Sequence, residues 1–447
     1  MPNRNRFQYV FKFFSITKIL VYVKFLMKLG NKLFFKFIIY FLFSLSLLII
    51  TCSNDNFNGI LSTWVQMGPN GTIIARAVTE KSECPFIALN DTVQQMQVRA
   101  EPSEPDFPVL VCEALIPIGT TSASIDGGML KLPKIDPIRI AIIGDTGCRI
   151  KGDDVQACND PEVWPFKRVA KSVASWGPDL VIHVGDYLYR EDSCPEGNSG
   201  CAGSPFGDKW VTWDADFFSP VSVLLKSAPW VFTRGNHEMC TRAGKGWFRF
   251  LAPNTPFSDC IEFTEPYAVD IGLVRLLIFD SASADDNNAP QNLVDVYTQQ
   301  FSIINDLAND NSWILTHRPI WGIGEFDNEL FQINLTLQAA TGNNLKPGIN
   351  LVLSGHLHFF EMLRFEGGRS PQFIVGNSGT ELDSPVTVPL NGLEIAGAVV
   401  DEGVNFDNFG FVTMERVGNG WNVSVRNIQG KEIIPCVIEG NFADCLQ

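Results

Sequence analysis

Two histidines, His356 and His358 in SerGlyHisLeuHis, follow directly on the apolar run IleAsnLeuValLeu. A buried strand that ends in glycine and then offers two imidazoles sets ligands at a strand's carboxyl end, the edge where open α/β sheets keep their sites. The chain has only five histidines, and two more obey the same grammar. His237 in GlyAsnHisGlu follows ProTrpValPheThrArg, and His317 in LeuThrHisArgPro follows SerTrpIle. IleAlaIleIleGlyAsp delivers Asp145, and LeuValIleHisValGlyAspTyrLeuTyr delivers Asp186 and Tyr189. Carboxylates, imidazoles, an amide and a phenol at five strand ends make a mixed oxygen and nitrogen set, suited to two adjacent divalent or trivalent ions.

Taken singly, each residue has a plainer reading. A GlyAsp at a strand end is usually a turn, a lone Asn236 would be a turn residue, and Tyr189 could simply pack. His183, two residues before Asp186 on a strand, reads as a core imidazole or one supporting a ligand. Arg318 is equally a phosphate contact or an ion-pair partner. The weight lies in the ordered set: GDTG at 144–147, GDYLY at 185–189, GNHE at 235–238, TH at 316–317 and GHLH at 355–358.

In this order the motifs resemble the calcineurin-like metallophosphoesterases, and within them the purple acid phosphatase branch, over about residues 138 to 380. The resemblance implies one ion held by Asp145, Tyr189 and His358, a second by Asn236, His317 and His356, and Asp186 between them. Simpler members carry a histidine two residues after the first aspartate; here Gly147 stands there, and Tyr189 fills the gap. A tyrosinate is a hard anionic ligand, so the implied pair is Fe(III) with Zn, Mn or Fe(II). The implied reaction is hydrolysis of a phosphate monoester by a metal-bridged hydroxide. The resemblance further implies His237 as general acid, with Glu238 expected to orient it. A phosphodiesterase or nucleotidase with the same centre is the alternative, and a surface binding protein that kept the fold without turnover is a rival of another class.

Composition constrains what surrounds this set. At 447 residues, 45% hydrophobic and 19% charged, the chain is globular and long enough for two domains. Its formal charge is −15, yet residues 1–51 hold eight Lys or Arg and no acid, so the remainder carries about −23. Such a surface repels nucleic acid and anionic lipid; positive charge for a small phosphate ester has to come from bound metal.

Residues 1–52 read as an export signal: Lys28, Lys32 and Lys36, then the uncharged run Phe37–Ile50, then Thr51-Cys52-Ser53. Met27 before Lys28 offers a start that gives a signal of ordinary length. LeuIleIleThrCys resembles a bacterial lipobox with Cys52 as the lipidated residue; the other reading is an uncleaved anchor. The expected location is secreted, periplasmic or outer-surface lipoprotein, with membrane contact only through a signal or lipid anchor. Ten further cysteines fit disulfides in an oxidising compartment. Loop length suggests Cys84–Cys112, Cys148–Cys158, Cys194–Cys201, Cys240–Cys260 and Cys436–Cys445.

The expected fold is α/β: a small all-β, sandwich-like domain at 54–134, a linker at 132–137, and a catalytic domain at 136–447. The latter is a sandwich of two mixed β-sheets flanked by helices, as the resemblance implies. Amphipathic helices are expected over 163–176, 214–226 and 295–307, and the Cys- and Gly-rich stretches 191–208 and 239–262 are expected to rim the site and set specificity. Asn70, Asn90, Asn334 and Asn422 fit the N-glycosylation pattern.

Overall fold

The computed structural model describes residues 59–253, 260–342 and 344–446; the expected export signal and Cys52 lie outside them. Two large mixed sheets face each other. One has eleven strands and the other eight, and helices cover their outer faces, as expected.

Alternation of side chains explains the layering. In the strand Arg139–Ile143, Ile140 and Ile142 point into the core between the sheets, while Ala141 and Ile143 point to the helical layer. The next strand, Leu180–His183, is buried on both faces and pairs in parallel with Arg139–Ile143 and with Trp230–Phe232. Between the first two strands runs the helix Phe166–Trp176, which buries Phe166, Val169, Ala170 and Val173 at helical spacing and ends at Gly177 in the left-handed conformation. The second sheet repeats the plan with Val274–Ile278, Ser312–Leu315, Ile349–Ser354 and Gln372–Val375, all parallel. The helix Gln291–Leu307 packs Tyr297, Phe301 and Ile304 against its outer face. The helix expected near 214–226 begins earlier, at Trp210, and passes through a π-helical turn at Asp214–Phe218.

The amino-terminal region is built of strands, as expected, with one 3₁₀ turn at Pro69–Gly71, and encloses a small core of Val65, Ala77, Ile87, Leu110 and Ile125. Its independence is what differs. Only one of its two sheets is its own; the strands Ile60–Met67, Ile73–Thr79, Leu110–Leu115 and Gln97–Ala100 extend the eleven-stranded sheet, joined by the parallel pairing of Gln66 with Trp230. Residues 57–447 accordingly form one compact unit, and 132–137 does not separate two. The join is polar as well as apolar. The Arg76 and Arg99 guanidiniums, with Glu113 between them, donate to the carbonyls of Phe248, Arg249, Phe250 and Ala252, and Gln66 donates to that of Leu251. Those carbonyls lie at the end of the helix Gly244–Phe250, where an α-helix leaves its last acceptors unpaired.

All five expected disulfides are formed: Cys84–Cys112, Cys148–Cys158, Cys194–Cys201, Cys240–Cys260 and Cys436–Cys445. Of the glycosylation patterns, Asn334 is fully buried and caps the helix Leu335–Thr341 through its side chain, so it is not an acceptor in the folded chain.

Candidate metal centre

Five parallel strands end at one edge, and each carries its polar residue into the same pocket. Asp145 follows Arg139–Ile143; Asp186 and Tyr189 follow Leu180–His183; Asn236 and His237 follow Trp230–Phe232. From the other sheet, His317 follows Ser312–Leu315, and His356 and His358 follow Ile349–Ser354. All seven expected ligand residues come together here with His237.

The backbone is bent to make this possible. Asp145, Asp186 and His356 have φ of 54°, 60° and 79°, a left-handed region that non-glycine residues rarely occupy and that concentrates at functional sites. Glycines give the carboxylates room: a Cβ on Gly355 would lie 2.3 Å from Asp145 Oδ2, and one on Gly235 2.1 Å from Asp186 Oδ1.

Two clusters share one carboxylate oxygen. In the first, the Tyr189 hydroxyl lies 2.9 Å from Asp145 Oδ1, 2.9 Å from Asp186 Oδ2 and 3.0 Å from His358 Nε2. In the second, His317 Nε2 lies 2.9 Å from Asn236 Oδ1, 3.1 Å from Asp186 Oδ2 and 3.3 Å from His356 Nδ1. Asp186, His317 and His356 bring ligand atoms within 4.8 Å of one another.

The proton count in these clusters is short. His317 Nδ1 sits 2.9 Å from the Val184 carbonyl and has to donate to it, which leaves Nε2 as a bare lone pair. His356 Nε2 likewise donates to Asp286 Oδ2 at 2.9 Å, turning the lone pair of Nδ1 inward. The second cluster is then acceptors facing acceptors, and the first has a single phenol proton for three neighbours. Cations resolve both, so the residues present fit a binuclear centre.

Electrostatics agree. Burial, then the nearby Asp186, pushes the Asp145 carboxyl well up, and burial, then Asp145 and Asp186, does the same to Tyr189. Burial opposes ionisation of Asp186 too, but His317 and His237 beside it outweigh that and hold it well below the usual range. Burial lowers His356, and pushes His237 and His358 down to about 4.

Gly147 explains why the phenol can take this place. A Cβ there would lie 2.7 Å from the Tyr187 carbonyl and 2.8 Å from the Tyr189 amide, so no larger residue fits at 147 unless the Tyr189 segment moves.

The supporting residues differ in part from expectation. The Glu238 carboxylate does not orient His237. It accepts from the amides of Asp186, Tyr187, Leu188 and Gly235 and so braces the loop that presents Asp186. His237 is held instead at Nδ1, 3.0 Å from the Leu188 carbonyl and 3.1 Å from Glu191 Oε1, with its ring on that of Tyr189 at 3.7 Å and the Arg242 guanidinium alongside. His183 is a core imidazole beneath the site, stacked on Tyr187 and in contact with Thr146 Oγ1 at 3.0 Å. Arg318 pairs with Asp286, and its Nη1 lies 3.0 Å from His356 Nε2.

Sequence reading missed Glu191, Arg242 and Asp286. Asp286 could have been found, because the stretch AspSerAlaSerAlaAspAsp follows the strand Val274–Ile278 and so obeys the same strand-end rule. The expected rim is also different. A cavity of about 580 Å³ above the clusters is walled by the hairpin of strands Gly322–Phe326 and Glu329–Ile333, with Arg149, Asp286 and Asp383; among the described residues, 191–208 and 239–262 do not line it.

This architecture, parallel strand ends from two facing sheets converging on a two-cluster pocket, is that of a phosphoesterase. The model of the calcineurin-like phosphoesterases matches residues 138–360, and the chain belongs to that family. Among solved structures it is similar to the purple acid phosphatase PPD1 from yellow lupin (Lupinus luteus) seeds, with a TM-score of 0.58 and 13% identity over 86% of this chain and 74% of that one. It is also similar to PhoD, with a TM-score of 0.53 and 11% identity over 88% of this chain and 93% of that one. At these identities the likeness is one of fold. A search of curated protein sequences finds no match.

Proposed function

We propose that the protein is an exported hydrolase of phosphate monoesters, of purple acid phosphatase type, in which Asp145, Tyr189 and His358 hold one metal ion and Asn236, His317 and His356 a second. Asp186 Oδ2, which faces both clusters, would be the carboxylate shared by the pair. The observation that carries this reading is the Tyr189 hydroxyl, set among three partners at 2.9–3.0 Å in the space that Gly147 leaves open. A phenolate there favours Fe(III), with Zn, Mn or Fe(II) as its neighbour. Two such ions acidify a water and hold the phosphate oxygens.

The protein's own groups do the rest. Glu238 and the left-handed turn at Asp186 keep the shared carboxylate aimed between the clusters. His237, braced by Leu188 and Glu191 with Arg242 Nη2 2.8 Å from its Nε2, lines the cavity and is the proton donor for the departing alkoxide. Since its Nδ1 proton is committed to the Leu188 carbonyl, the ring can donate from Nε2 only when doubly protonated. Burial therefore ties that role to acid solution. Asp286 orients His356 through Nε2. Export is supported by five disulfides.

The test is elemental analysis of the purified protein, its visible spectrum, and phosphate release from a monoester and a diester. Iron with a broad visible band that Tyr189→Phe abolishes is the expected result. A colourless protein with two zinc ions removes iron from the proposal, and no phosphate from either ester removes the hydrolase.

A further inference from the structure

The floor of the pocket is polar, but the wall facing it is not. Phe326, Leu330 and Phe331 of the hairpin line the cavity and are 72%, 39% and 37% exposed, large apolar side chains left in water directly beside the candidate centre. Exposed apolar groups clustered at the mouth of a cavity mark a ligand surface.

The hairpin is fixed rather than loose. At its base Ile333 packs with Leu357, the residue between His356 and His358, and with Phe359 and Ile374. Glu325 accepts from the amide and hydroxyl of Thr387, and Gln332 bonds the backbone at Glu394 and Ala396. The residue just after the hairpin, Asn334, donates to Asp286 at 2.7 Å, and Asp286 accepts from His356. The apolar wall therefore stands in a set relation to the floor.

Charge on the walls restricts what can lie there. Outside the clusters and His237, the charged lining residues are Arg149 against Asp286, Glu329 and Asp383. A reacting phosphoryl group has metal ions to meet it; a second anionic group farther out meets carboxylates.

We propose that the Gly322–Ile333 hairpin is the specificity element of this site, a platform on which Phe326, Leu330 and Phe331 seat an uncharged, aromatic or broadly apolar leaving group, and that Glu329 disfavours polyanionic esters. The assignment rests on the phosphatase reading for the reaction and on the hairpin's own geometry for the selectivity. In turnover, water adds to phosphorus and gives up one proton, the P–O bond to the leaving group breaks, and the alcohol or phenol departs across the platform carrying the proton from His237, which the proton released by the water replaces.

Two readouts on the full chain separate the claims. Binding of 1-naphthylphosphonate and of methylphosphonate is measured by calorimetry, and hydrolysis of 1-naphthyl phosphate, glycerol 2-phosphate and ATP by phosphate release. Phe326→Ser, at the exposed hairpin tip, is expected to weaken naphthylphosphonate about 10-fold or more. It leaves methylphosphonate within 2-fold and raises KM for naphthyl phosphate with kcat unchanged. Glu329→Lys is expected to lower KM for ATP several-fold and leave glycerol 2-phosphate alone. Equal affinity of wild type for the two phosphonates, or equal effects of Phe326→Ser on both, overturns the hairpin assignment even if every ester is hydrolysed. Discrimination between the phosphonates with no ester turned over upholds the platform and overturns the hydrolase instead.

Discussion

The floor and the wall of the pocket are built on opposite terms. On the floor, Asp145, Asp186, Tyr189, His317 and His358 are nearly sealed from solvent, with the backbones of Asp145 and Asp186 in left-handed turns and both carboxylates cradled by glycine. On the wall, Phe326, Leu330 and Phe331 stand in the open on a two-stranded ribbon tied down by a few polar contacts. The floor tolerates no change of shape because each side chain is fixed by its neighbours, whereas the wall can vary without disturbing the sheets. Chemistry is thereby separated from selectivity.

That contrast can be broken from the floor upward. Asp186→Ala removes the oxygen common to both clusters; metal content by elemental analysis should fall and phosphate release should drop to the uncatalysed background. Retention of both metals would show that the carboxylate is not shared. His237→Ala should keep its metals and lose about 10²–10⁴ in kcat, the usual contribution of a positioned proton donor. A loss confined to KM would make the ring a binding group only.

Away from the pocket the effects should be on stability. Arg76→Met strips two of the carbonyl partners from the Phe250–Ala252 turn and one partner from Glu113, and should cost roughly 2–3 kcal/mol in urea unfolding. It should do so within a single transition, since Ile60–Met67, Ile73–Thr79, Gln97–Ala100 and Leu110–Leu115 share the main sheet. An early, separate transition would restore an independent amino-terminal domain. Gly147→Ala drives a Cβ into the Tyr189 segment, for about 1–3 kcal/mol and a weakened visible band.

The remaining effect is one of pH. Glu361 is buried on the strand Phe360–Phe365, accepts only the Ile323 amide, and has Oε2 without a partner; burial pushes it up to about 8 from 4.5. The folded protein keeps this proton when the unfolded chain has lost it. This carboxyl's contribution to stability is therefore fullest below about 4.5 and declines as pH rises towards 8, at no more than about 1.4 kcal/mol per unit. Glu361→Gln should flatten the decline between pH 5 and 8, as read by urea midpoints.

The floor could be read from residues alone because its chemistry demands rare types at fixed places. Five histidines in 447 residues, four of them just past apolar runs, leave little freedom. The strand-end rule also located Asp145, Asp186 and Tyr189 without knowing which strands pair. The wall had no such signature, since GlyIleGlyGluPhe and GluLeuPheGlnIle use ordinary residues whose meaning comes from where the ribbon lands. The cysteine-rich stretch 191–208 drew attention by composition, but of its residues Glu191 is the one that meets His237. The amino-terminal strands were legible as strands, while their pairing was not: Gln66 meets Trp230 across 164 residues, and nothing local announces it.

That long-range pairing has a practical consequence. The recognisable block 138–360 is not a unit of folding. Released on its own, it would bare the hydrogen-bonding edge of Trp230–Phe232 on one side and of Arg139–Ile143, robbed of its antiparallel neighbour Gly410–Val417, on the other. Two apolar ribbons open in the middle of one sheet invite stacking of copies into aggregates. Ancestral or engineered trimming of this protein therefore has to cut outside both flanks, however plainly the motifs mark the block between them.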